Sequence, residues 1–363
     1  MKLFAMKSKR EVVDAKRVQE VDAVRLAANY LVVVMHSVCI FQYMTPAGKE
    51  FEILRFFSQV LAPIAMPTLF FISGYVLFFS SENYVRKMRK RIGRLLIPYL
   101  CWNLIFVLGY LVSCWLGLRN GCKQDFSDIW FFLGWFRQKL FSLYVPPADM
   151  PTWYLRAVFI YALASPLIEI VLRGRCRAIR LAVMVVLSVF AMWCVSSFGL
   201  ESDFVYTFPI YSMLSFALGA WFSITQIQLS ILWDRRWLMF LCLGLMSFLV
   251  LRFTSIPRCL VPIFQAGQFL LLFAIARVVL LPFYKKLPDV MRDSAFFVYL
   301  CHIAVLPLVA RFIALCINGI PLGCSIAFVV SVIVSIGICM CIYMITLRLC
   351  PILSNALNGR LRI

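Results

Sequence analysis

Acidic residues are scarce in this chain: 16 Asp and Glu stand against 36 Lys and Arg in 363 residues. Charged residues of both signs make up only 14% of it. A soluble domain carries about 25%, so a globule with a polar shell facing water on all sides is excluded. Histidine is rarer still, with two in the whole chain. No CxxC pair occurs among the 14 cysteines, which are scattered mostly through apolar runs. Cys339 and Cys341 are too close together for a zinc knuckle. The cysteines are therefore read as buried thiols acting as small hydrophobes, which excludes a disulfide-built scaffold and a zinc ribbon. Cys122 and Cys259 both fall on the expected outer side and could bridge there. The first 24 residues are charged and helix-like, with no apolar core and no small-residue cleavage site, so no signal peptide is expected.

What is present is apolar surface. Hydrophobic residues reach 63%, and the mean hydropathy is +0.91. The fold class expected is all-α, a polytopic transmembrane helical bundle. A β-barrel is disfavoured because the apolar runs are continuous rather than alternating. Ten spans are read at 26–45, 60–81, 95–118, 152–172, 181–198, 205–225, 237–251, 259–281, 294–315 and 322–349. The aromatic stretch 127–145 is short and carries Arg137 and Lys139, so it is expected to lie at the outer interface. With cytoplasmic termini, this arrangement puts roughly three basic residues inside for each one outside. The net charge of +20 thus reads as topology. No nucleic-acid partner is expected, since no basic-aromatic module appears. The organisation is a cytoplasmic segment (1–24), a transmembrane domain (25–349) with its long outer loop at 119–150, and a cytoplasmic tail (350–363). No soluble domain is expected to be appended.

The chemistry starts on the first span. Arg25 and His36 are eleven residues apart, which returns a helix to within about 20° of one face and climbs about 16 Å. Arg25 then lies at the membrane surface and His36 near the midplane, with Asn29 one turn above Arg25. A histidine at that depth is costly and usually functional. Snorkelling for Arg25 and simple packing for His36 are the bland alternatives. His302 comes about nine residues into the ninth span, roughly 13 Å up from the same side. Two imidazoles at one depth suit proton abstraction or substrate orientation. Zinc is the weaker reading, because no neighbouring Cys, Asp or Glu supplies a third ligand, and no metal is expected.

Other candidates flank this pair. Ser73-Gly74-Tyr75 in the second span offers close helix approach with two hydroxyls beside it. Arg91 and Arg94 end a basic block and suit phosphate, though a topogenic loop needs no further function. Trp153 and Tyr154 open the fourth span as an aromatic belt or as a sugar-stacking platform. Glu169 and Arg173 form an i,i+4 pair. Gln265, Gln268 and Arg311 are expected to face the bundle interior.

Taken in order, these motifs resemble the acyltransferase 3 family of integral membrane acyltransferases. The resemblance rests on Arg25-x10-His36, FFISGY (70–75), Arg91-x-x-Arg94 with IPY (97–99), TWYL (152–155), FALG (216–219) and SAFFVYLCH (294–302). It implies transfer of an acyl group, most often acetyl, from cytoplasmic acyl-CoA to a hydroxyl of a surface polysaccharide, glycolipid or other glycan. By that resemblance His36 is the catalytic histidine and Arg25 holds the donor. Arg91 and Arg94 contact the CoA phosphates or the donor pathway; Ser73, Gly74 and Tyr75, from their own chemistry, are grouped with them as donor-binding. Read from the residues rather than from the resemblance, His302, Trp153, Tyr154 and Asn29 are expected to support the site or the acceptor, Tyr75 or His302 could donate to the oxyanion, and His36 could act directly on the acceptor hydroxyl or through an acyl-enzyme. No bound cofactor is implied; acetyl-CoA or another acyl-CoA is a co-substrate, the bilayer is a partner, and the bacterial inner membrane is the implied location.

A second reading is a secondary transporter or a flippase of a lipid-linked glycan, which midplane polar groups also fit. Against it stand the near absence of midplane acids and of paired broken spans. A third, a non-enzymatic assembly or sensing protein, would not need Arg25 or His36.

Overall fold

The computed structural model describes residues 2–46, 48–80, 82–116, 129–141, 147–173, 176–197, 210–232, 236–317, 320 and 322–361. Among them no strand occurs. In chain order the helices begin with α1 (Lys2–His36), α2 (Lys49–Arg55), α3 (Ala65–Phe79), α4 (Tyr84–Arg91), α5 (Ile97–Trp115) and α6 (Ile129–Phe141). They continue with α7 (Trp153–Leu163), α8 (Ser165–Leu172), α9 (Arg177–Ser197), α10 (Ile210–Ile224), α11 (Trp237–Phe253) and α12 (Val261–Val279). The last are α13 (Leu281–Tyr284), α14 (Asp289–Ile317), α15 (Gly323–Leu349) and α16 (Pro351–Leu357).

Each of the ten expected spans coincides with an apolar helix, but not every one has the length of a span. Seven are long and apolar enough to cross a membrane, and a bent pair, α7 with α8, would make eight. The helices at α10 and α11 are shorter. The bend between α7 and α8 is 62°. Pro166 causes it: it has no N–H for the carbonyl one turn back, and its ring crowds that carbonyl. The stretch 127–145 contains a 13-residue helix, α6. Helix α1 runs unbroken from Lys2 to His36 and so joins the 2–24 stretch to the first expected span.

Burial separates centre from rim. The span ending in α3 is 72% buried, against 22% for α9 and 28% for α15. The outer helices turn leucine, isoleucine and phenylalanine outward, as a lipid-facing surface requires. At the centre, Phe71 stacks on Phe269 at 3.9 Å between ring centroids. Gly74 of α3 and Gly219 of α10 let the two backbones meet. A Cβ at Gly74 would strike the carbonyl of Phe216, and one at Gly219 would strike the carbonyl of Phe71. The core around α1, α3, α7 and α14 is where the polar candidates gather.

Candidate active site

The two histidines meet. His302 Nε2 lies 3.2 Å from His36 Nδ1, with ring centroids 5.0 Å apart. His36 Nδ1 is also 2.9 Å from the carbonyl of Val32. His302 Nδ1 is 2.7 Å from the carbonyl of Tyr299. A carbonyl only accepts, so the hydrogen-bond network assigns a proton to both Nδ1 atoms. The single His36 Nδ1–H is then shared between the Val32 carbonyl and His302 Nε2, and the Nε2 of His36 keeps its lone pair. His302 is fully buried, while His36 is partly open. This is the order a base and its orienting partner need. In that tautomer both ring nitrogens of His302 are engaged, Nδ1 by Tyr299 and Nε2 by His36.

Tyr299 extends the chain of contacts. Its ring is 6.3 Å from that of His302 and 5.9 Å from that of Tyr154. Its hydroxyl donates to the carbonyl of Pro151 at 2.5 Å. Tyr154 is buried, and its hydroxyl lies 2.6 Å from Ser73 Oγ. It is thus a polar strut from α7 to α3, not an open platform for a sugar. Trp153 is half-buried with its ring 5.6 Å from Phe70.

The cations converge beneath. Arg91 lies within electrostatic reach of Arg25, Arg94 and Tyr154. Residues 92–96 form a π-helical turn, a distortion common at functional sites. Arg91 is half-buried and Arg94 exposed. Arg25 pairs with Asp22 at 3.3 Å. A cavity of about 440 Å³ opens here, lined by Arg25, Asn29, Arg292, Asp293, Asn358 and Arg360 among others. It ties the foot of the Arg25–His36 stripe to the surface.

A second buried polar group closes the opposite side. Asn103 donates to Thr152 Oγ1 at 2.9 Å and accepts from the Asp149 backbone N–H at 3.1 Å. Asp149 is wholly buried, and neither carboxylate oxygen has a hydrogen-bond partner. Burial pushes its carboxyl well above the usual range, and Cys301 beside it adds to the shift.

The remaining candidates lie elsewhere. Gly74 faces α10 and serves packing. Tyr75 stacks in a row with Phe71 and Phe79. Gln268 is buried, as expected, and Gln265 half-buried. Arg311 is exposed towards the far end of α14 rather than facing the interior. Glu169 and Arg173 pair at 2.6 Å. Cys114 is disulfide-bonded and Cys259 is free, so the bridge imagined between Cys122 and Cys259 does not form; Cys122 itself lies outside the described residues. Sequence reasoning missed Tyr299, although it stands one helical turn before His302. It also missed Asn103, Asp149 and the cavity residues of α14 and of the segment after α16, which are far apart in sequence and carry no motif.

A family profile described as an acyltransferase domain matches residues 18–344. No curated protein and no solved structure matches the chain.

Proposed function

The chain belongs to the acyltransferase 3 family, and on that premise we propose that it is an O-acyltransferase working across the bacterial inner membrane. It takes an acyl group, most simply acetyl, from cytoplasmic acyl-CoA and delivers it to a hydroxyl of an extracytoplasmic glycan or glycolipid. The observation that carries this reading is the histidine pair, with one imidazole held by the other and its Nε2 lone pair free.

The acyl-CoA phosphates stay at the inner cavity, where Arg25, Arg292 and Arg360 stand among Asp22, Asp289 and Asp293, and Arg91 lies within electrostatic reach of Arg25. The thioester reaches along the Arg25–Asn29–His36 stripe. His36 Nε2 takes the proton of the acceptor hydroxyl as its oxygen attacks the acyl carbonyl. The tetrahedral intermediate collapses, the carbon–sulfur bond breaks, and the CoA thiolate recovers the proton from His36. Meanwhile His36 Nδ1–H keeps its bond to His302, which spreads the charge on the imidazolium. A base so placed contributes typically about 10²–10⁴-fold.

The test is mass spectrometry of surface glycans from a knockout strain complemented with wild type or with His36→Ala. The wild type should restore the acetyl mass increment on a defined sugar, and the variant should not. A His36→Ala protein that inserts normally and restores full O-acylation overturns the proposal.

A further inference from the structure

The tail that follows α15 folds back onto the mouth of the cavity. Trp102 Nε1 donates to the carbonyl of Leu357 at 3.1 Å. Asn358 Nδ2 donates to the carbonyl of Asp293 at 3.0 Å, and Arg360 bonds Asp293 Oδ1 at 2.7 Å. Gly359 between them has φ +64°, and a Cβ there would come within 2.7 Å of the carbonyl oxygen of Arg94. So the tail is pressed against the backbone of Arg94 and anchored on both sides. The tail residues that make these contacts, 357–360, lie beyond residue 344, where the family match ends.

Two tail residues line the cavity, Asn358 and Arg360. Asn358 is 6% exposed. Its Oδ1 is sealed from solvent and accepts no hydrogen bond. A buried amide oxygen without a donor is rare and calls for an explanation. Arg360 is part-exposed at the same wall, near Arg292. The cavity volume is in the range of sites that hold ligands of drug size.

We infer that the C-terminal tail is part of the donor site: Asn358 accepts an amide N–H of the donor's pantetheine arm, and Arg360 meets its phosphates. This rests on the acyl-CoA reading above. The chemistry selects that ligand. A pantetheine arm carries two amide N–H groups, the donors that Asn358 Oδ1 lacks, and its phosphates match a guanidinium that part-faces solvent. The tail then acts as a wall that seats the arm beneath the Arg25–His36 stripe.

The experiment measures binding of acetyl-CoA and of acetyl-pantetheine, which lacks the nucleotide and its phosphates, to the full chain in nanodiscs. Asn358→Leu keeps the size and should weaken both donors about five- to tenfold. Arg360→Gln should weaken acetyl-CoA by a similar factor and leave acetyl-pantetheine at the wild-type Kd. Arg360 is at the surface, so this variant decides the matter even if Asn358→Leu does not fold. Two results overturn the inference: wild-type affinity for both donors in both variants, or equal weakening of both donors by Arg360→Gln. Wild-type protein that binds neither donor sinks the acyl-CoA reading itself, so the two failures are distinguishable.

Discussion

At the scale of single residues, the site depends on which imidazole nitrogen carries the proton. His302 has its Nδ1 tied to Tyr299 and its Nε2 to His36, so in the proposed mechanism it positions the base without touching the reacting atoms. His302→Ala should lower kcat by about 10²-fold or more with little change in the KM for acyl-CoA. Equal losses in both would point to a collapsed site instead. Asp149 is the other residue under strain. Its folded pKa is raised, so the buried carboxyl holds its proton where the unfolded chain, with a value of about 4, has lost it. Stability is greatest below that value and falls as pH rises towards the folded pKa. Asp149→Asn should therefore raise the melting temperature at pH 8 by about 2–4 °C and flatten its dependence on pH. A variant that melts lower at pH 8 would mean the carboxylate is ionised and needed.

At the scale of elements, the α3–α10 crossing sets how close the central helices come. Gly74 and Gly219 each face a carbonyl of the other helix with no room for a Cβ. Gly219→Ala forces the backbones apart and should cost about 1–3 kcal/mol, read as a lower melting temperature in detergent. Gly109 of α5 has open space around it, and Gly109→Ala serves as the tolerated control. The sequence motif containing Ser73 and Gly74 thus splits by helical phase. Ser73 bonds Tyr154 and points to the site, while Gly74 turns to α10. No spacing rule separates these roles before the neighbours of α3 are known.

At the scale of the whole molecule, the expected topology puts Cys176 and Cys350 inside and Cys114 outside. Both Cys176 and Cys350 are exposed, and the disulfide at Cys114 fits an oxidising outer face. A membrane-impermeant maleimide should leave Cys176 and Cys350 unlabelled in intact cells and label both after permeabilisation. Labelling before permeabilisation would invert the arrangement. The apolar runs, the charge bias and the eleven-residue interval between Arg25 and His36 were enough to determine a helical membrane bundle and to put both histidines at one depth. Those are properties of one helix at a time, set by rise, turn and the cost of polar groups in lipid. That the imidazoles touch, that Tyr154 is a strut and that Arg311 faces outward depended on how the helices rotate against one another. So did the return of the tail to the cavity, since residues 293 and 360 are adjacent only in space. Contacts between distant segments come from packing, and the pattern along a single segment carries no record of its partner.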